Sequence, residues 1–104
     1  MNILVIDTSD SENIKVGIKI NGKSKHINSK SKISKAQALL ALIDRILEEN
    51  SLKLTDIDKI NVNTGPGSFT GLRVGISVAN TLGFFLKIPI NGKKLGKLAE
   101  PKYK

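Results

Sequence analysis

Cysteine is absent from this 104-residue chain. That excludes a disulfide framework, a thiolate metal site and a cysteine nucleophile. It also fits a reducing, cytoplasmic setting. Histidine occurs once, at His26, on a lysine-rich stretch with no acid or nucleophile signature beside it. Nothing in the sequence sets Ser9 or Ser68 against it, as a Ser-His-Asp triad would require. No apolar run approaches ~18 residues, so no spanning helix is expected. The opening Met1-Asn2-Ile3-Leu4-Val5-Ile6-Asp7 has no basic leader and no small-residue cleavage site, so no signal peptide is expected. The length allows one small domain, burying roughly 65% of its unfolded surface. That supports one core rather than two lobes around a deep cleft. A hydrophobic content of 39% argues against wholesale disorder.

What the chain has in excess is lysine. The net charge is +8, from 17 basic and 9 acidic residues, and only two of the basic residues are arginine. The excess sits at the two ends, in residues 1–35 and 93–104, while residues 36–92 are balanced. Lysine clusters attract phosphate backbones in a salt-dependent way. A solvated basic surface gives the same composition.

Ile3-Leu4-Val5-Ile6 is a short apolar run ending in Asp7-Thr8-Ser9-Asp10, a buried strand feeding a polar loop. Ile14, Val16, Ile18 and Ile20 then alternate with polar residues or glycine, the period of a half-buried strand. Asn21-Gly22 is a strong hairpin signal, and Lys23 to Ser29 is the return strand, its lysines guarding an edge. From Ser34, a plausible N-cap, the period becomes helical, with Ala36, Leu39, Leu40, Ile43 and Leu47 on one face. Lys59 to Thr64 reads as a strand. The loop Gly65-Pro66-Gly67-Ser68-Phe69-Thr70-Gly71 leads into a second helix from Thr70 to Leu86. Ile88-Pro89-Ile90 reads as a last edge strand. In the tail, Leu95, Leu98 and Ala99 have helical spacing. The expected architecture is α/β: a mixed sheet of about five strands with helices packed on it.

The loops at Asp7-Thr8-Ser9 and at Gly65 to Thr70 gather at the ends of the first and fourth strands. Glycine-rich approaches to a helix N-terminus favour anions. The Gly-Lys-Ser/Thr ending of a P-loop is missing, so a tight turn explains the same glycines. Asp7 could hold a metal or polarise water, but a two-metal site needs more carboxylates there. Glu48 and Glu49 are the nearest argument for them, and the fourth strand ends in Asn61, Asn63 and Thr64. A turn-capping role suits a lone Asp after a strand.

The second helix carries the most informative pattern. Gly71, Gly75, Ala79 and Gly83 recur every fourth residue, a seam where another backbone can approach closely. Three helical glycines cost about 1 kcal/mol each relative to alanine, so close packing must offset them. The sheet of this chain or a partner would serve equally. Val74, Val78, Leu82, Phe85 and Leu86 lie to one side of the seam, and Leu72, Ile76 and Phe84 elsewhere. A helix apolar on most sides is buried on most sides. The first helix adds a second stripe, Ala38, Leu42 and Ile46. Two helices with spare apolar surface point to a partner interface, in the manner of a four-helix contact.

With these residues in view, the chain resembles the TsaB (YeaZ) family. The match is densest over Gly65-Pro66-Gly67-Ser68-Phe69-Thr70-Gly71-Leu72-Arg73-Val74-Gly75 and extends to Ile6-Asp7-Thr8-Ser9, Leu52 to Asp58, and Ile88-Pro89-Ile90-Asn91-Gly92. The resemblance implies an actin-like ATPase (ASKHA) lobe of ribonuclease H-like topology over residues 1–92. A short basic tail would follow at 93–104, with the family's second lobe lacking. It implies a non-catalytic scaffold for threonylcarbamoyladenosine synthesis in tRNA. The chain would pair with a TsaD-like catalytic subunit, or with a second copy of itself, through helices one and two. The expected interface is Ala38, Leu42, Ile46, Leu72, Arg73, Gly75, Ile76, Ala79, Gly83 and Phe84. A TsaE-like ATPase and tRNA would join only through the complex. No metal, cofactor or membrane is expected. Asp7, Thr8, Ser9, Gly65, Gly67, Ser68 and Thr70 would be remnants of a phosphate site. Two other readings stand beside this one. One is a metal-dependent hydrolase or peptidase-like enzyme using Asp7. The other is a tRNA-contacting basic module using Lys23, Lys25, Lys94 and Lys97.

Overall fold

The computed structural model describes residues 1–30, 35–92 and 98–100. In chain order the elements are β1 (Asn2–Asp7), β2 (Asn13–Ile20), β3 (Lys23–Lys30), α1 (Lys35–Glu49), a 3-10 turn (Leu54–Asp56), β4 (Lys59–Val62) and α2 (Phe69–Leu86). The Ser34 cap expected for α1 lies outside the described residues. Asn21 and Gly22 take φ of 50° and 87°, the positive values that a two-residue hairpin needs. That turn sets β2 antiparallel to β3 with Ile20 opposite Lys23.

The sheet order is β3-β2-β1-β4. β1 runs antiparallel to β2 and parallel to β4. A parallel pair needs a crossover, and α1 supplies it. α1 packs on β2 and β3, α2 on β4 and β1, and the two helices touch. Alternation sends Leu4, Ile6, Ile14, Val16, Ile18, Ile60 and Val62 to the helix side, where all are buried. Leu39, Ile43, Ile46, Leu72 and Ala79 close the core from above. β3 contributes only the half-buried Ile27, as expected of a lysine-rich edge.

The sheet has four strands among the described residues, not five. Ile90 makes one parallel bridge, to Ile60. Ile60 N–H donates to the Pro89 carbonyl and Asn91 N–H to the Ile60 carbonyl. Pairing then stops for two reasons. Pro89 has no N–H to give, and Asn91 turns to φ 53°. Its side-chain amide takes over the ladder instead, accepting from Val62 N at 2.7 Å and donating to Val62 O at 3.0 Å.

α2 shows what its glycine seam is for. A Cβ at Gly71 would strike the Thr8 carbonyl oxygen, one at Gly75 the Thr8 hydroxyl, and one at Gly83 would lie 2.6 Å from Ile90 Cδ1. The close approach is to this chain's own β1 end and to the segment after α2. Leu72, Gly75, Ile76, Ala79 and Gly83 are therefore buried within the chain, and so are Leu42 and Ile46 on α1. This corrects the expectation that these seven residues face a partner. The helices are apolar on two sides because each packs on both the sheet and its neighbour. By length and composition alone α2 could cross a membrane, with a mean hydropathy of 1.3, contrary to the run-length expectation. Its buried stripe, Gly71, Leu72, Gly75, Ile76, Ala79 and Gly83, packs within this chain.

Residues 93–97 and 101–104 of the tail lie outside the described residues. Leu98 to Glu100 are not helical. Ala99 is buried, and the Asn80 side chain holds it from both sides: Ala99 N donates to Asn80 Oδ1 at 2.8 Å, and Asn80 Nδ2 donates to Ala99 O at 3.1 Å.

Candidate functional site

Two surfaces have the geometry of a site. The first is the loop cluster at the carboxyl ends of β1 and β4. Ser9 donates to Asp7 Oδ1 through both its N–H (3.0 Å) and its hydroxyl (2.6 Å). Asn63 Nδ2 reaches Asp7 Oδ1 and Ser9 Oγ, both at 3.2 Å. Asn63 Oδ1 accepts from Gly65 N at 2.9 Å, an Asx turn that opens the glycine loop. Ser68 N donates to Ser9 O, and the Ser68 hydroxyl caps α2 by accepting from Gly71 N. Gly67 lies against Ser9, where a Cβ would come within 2.6 Å of the Ser9 Cβ. The Thr8 hydroxyl donates to the Gly71 carbonyl in a fully buried bond. Thr70 is exposed in the first turn of α2. Lys35, from the start of α1, donates to the Asp10 carbonyl oxygen at 3.0 Å.

Asp7, Thr8, Ser9, Gly65, Gly67 and Ser68 are thus brought together, with Asn63 as their hub. Burial pushes the Asp7 carboxyl up. Hydrogen bonds from Ser9 and Asn63, aided by Lys15, outweigh that and hold it below the usual aspartate value. These groups spend their polar capacity on one another, which suits a lock between loops. Among the described residues no group of three or more His, Cys, Asp or Glu is placed to hold a metal. His26 sits over Gly17 on β2, where a Cβ would meet its Nδ1 at 2.7 Å, and it belongs to β3 rather than to this cluster. The role of Asn63 is not evident from a search for carboxylates. Its signal is position, two residues before a glycine at a strand end.

The second surface is the outward side of α2. Phe84 and Phe85 are 76% and 74% exposed, and Phe69 is 55% exposed. These are all three phenylalanines of the chain. The Phe84 and Phe85 rings meet edge to face at 5.7 Å. At the other end of the helix the Arg73 guanidinium lies 5.3 Å from the centroid of the Phe69 ring. A groove of about 410 Å³ runs beside Arg73 between α2 and the start of α1, with Ala36, Val74 and Val78 on its apolar side. Leu40 on α1 is half exposed. Of the expected interface, Arg73 and Phe84 are open to solvent and Ala38 is half-buried. Phe69 and Phe85 join them.

A family model described as "TsaD: tRNA N6-adenosine threonylcarbamoyltransferase" matches residues 29–92. The tRNA threonylcarbamoyladenosine biosynthesis protein TsaB of Haemophilus influenzae is 36% identical over 90 residues, covering 86% of this chain and 38% of the relative. The TsaB of Bacillus subtilis is 36% identical over 95 residues, covering 88% and 40%. A solved structure, YeaZ from Pseudomonas aeruginosa, superposes with a TM-score of 0.80 at 31% identity, covering 89% of this chain and 43% of that one. The chain belongs to the TsaB/YeaZ family. It spans about two fifths of the length of these relatives. The likeness to YeaZ also bears out the ribonuclease H-like, ASKHA-type lobe, with four strands in place of five.

Proposed function

We propose that this TsaB/YeaZ chain is a non-catalytic scaffold subunit in the synthesis of threonylcarbamoyladenosine in tRNA. It pairs through the open side of α2, with α1 beside it, with a TsaD-like catalytic subunit. A TsaE-like ATPase and the tRNA join through that complex, and such a role places the chain in the cytoplasm. Residues 1–92 act as the first lobe of the fold.

The observation that carries this reading is the placement of every phenylalanine of the chain on the solvent side of one helix, each more than half exposed. Single exposed aliphatic residues need no explanation. Three large aromatic side chains exposed on one helix, Phe69 at its start and the Phe84–Phe85 pair near its end, mark a surface meant for apolar contact. The loop cluster supports the same reading from the other side. Its glycines and hydroxyls hold β1, β4 and α2 together, so a phosphate remnant at Asp7, Thr8, Ser9, Gly65, Gly67 and Ser68 serves structure first, while Thr70 stands exposed beside it. The hydrolase reading has less support, because Asp7 accepts hydrogen bonds from Ser9 and Asn63 and, among the described residues, belongs to no group of three or more His, Cys, Asp or Glu that could hold a metal.

The test is co-expression with a tagged TsaD-like subunit. Wild type co-purifies, and Phe84→Ser with Phe85→Ser does not. Recovery of the double variant at the wild-type ratio would refute the interface. Gly75→Leu and Ile76→Asp are unsuitable here, because both positions lie in the chain's own core.

A further inference from the structure

The groove beside α2 has two unlike edges. Ala36, Val74 and Val78 make one edge apolar, and Thr70, Arg73 and Ser77 make the other polar. Thr70 and Ser77 stand three residues before and four after Arg73, so both hydroxyls share its side of the helix. The Arg73 guanidinium is stacked on Phe69 at 5.3 Å, which fixes the direction of its fork. The ion pair found among the described residues is Arg45 with Glu49 on α1, which leaves Arg73 without an acid. None of the described residues lining the groove is a carboxylate. A second cation, Lys35, lies close to Gly71 at the start of α2.

An arginine held by an aromatic ring, lacking an acid and bordering an apolar slot has the composition of an interface hot spot. We infer that Arg73 is the charge anchor of the subunit interface. It takes an Asp or Glu side chain from a helix of the TsaD-like partner, while an aliphatic side chain one turn away on that helix fills the groove between α1 and α2. This rests on the scaffold reading above and names what the partner must carry. Thr70 and Ser77 offer the same carboxylate two further donors. A basic residue at that point of a competing surface would face the Arg73 guanidinium, so the site also rejects wrong partners.

The experiment is a calorimetric titration of the chain with the TsaD-like subunit, using Arg73→Glu and Arg73→Lys. Arg73 is exposed, so the circular dichroism of both variants matches wild type. The expected result is affinity at least about 30-fold weaker for Arg73→Glu, with partial recovery for Arg73→Lys because an ammonium cannot make the two-pronged contact. One carboxylate on the partner, changed to Arg, restores binding to Arg73→Glu and not to wild type. If wild type binds and Arg73→Glu binds within about threefold of it, the anchor is refuted and the scaffold reading stands. If wild type does not bind, both fall. If Arg73→Glu abolishes only self-association, seen by light scattering, the occupant is a second copy and the inference is overturned.

Discussion

The Thr8 hydroxyl donates a buried hydrogen bond to the Gly71 carbonyl, so the end of β1 and the first turn of α2 are tied across 63 residues of sequence. The tie depends on glycine. A Cβ at Gly71 would collide with the Thr8 main chain, which cannot swing aside as a side chain can. Gly71→Ala should therefore destabilise the fold by about 3 kcal/mol, at the upper end of overpacking costs. Ser77→Ala, on the open side of the same helix, should stay within about 0.5 kcal/mol of wild type. Urea denaturation midpoints compare the two. Equal midpoints would mean that α2 does not sit as closely on Thr8 as described.

Burial separates the residues of α2 into two classes that the apolar pattern alone mixes. Leu72 is fully buried and Phe84 is 76% exposed. Leu72→Ala should cost about 2–5 kcal/mol. Phe84→Ser should change stability by no more than about 0.5 kcal/mol. Thermal unfolding of the isolated chain checks both, and a large loss for Phe84→Ser would show that its ring packs inside the domain.

The depressed Asp7 carboxyl sets a pH dependence with a definite sign. A carboxylate whose pKa is lower folded than unfolded stabilises the fold above the unfolded value, about 3.9 for aspartate. That contribution is lost as pH falls through the lower, folded value. The gap in stability between wild type and Asp7→Asn should thus be at its full size near neutral pH and shrink below about pH 4. Denaturation at a series of pH values measures it. A gap that widens on acidification would contradict the hydrogen bonds from Ser9 and Asn63 described here.

Asn80 clamps the main chain of Ala99 with two hydrogen bonds. Asn80→Ala removes both and should cost about 1–2 kcal/mol. The sharper readout is hydrogen exchange at the Ala99 amide, which should speed up much more than exchange at core amides such as Ile6. Unchanged protection at Ala99 would mean that something other than Asn80 holds it.

Much of this architecture was legible in the sequence because local and global signals agree. Asn21-Gly22 announces the hairpin, the alternation of Ile14 to Ile20 announces its inner strand, and the switch to helical period announces α1 within two residues of its observed start. Other features depend on contacts that spacing does not encode. A small residue every fourth position shows that something comes close to α2, but not that it is Thr8 and Ile90. Leu42 and Ile46 read as spare surface only until the helix beside them is placed. The fifth strand fails because Asn91 answers Val62 with its side chain, which no strand pattern anticipates. Asn63 escapes a search for acids since it organises the cluster by accepting and donating as an amide.

Because the chain has three phenylalanines and all stand on the open side of α2, labelling with 4-fluorophenylalanine places every fluorine reporter on the proposed interface. Fluorine NMR of the labelled chain with a TsaD-like subunit is then the most direct measurement. The account predicts three resonances for the free chain, all of which shift and broaden as the partner is added. Unmoved resonances in a sample where light scattering shows the complex to be fully formed would contradict it.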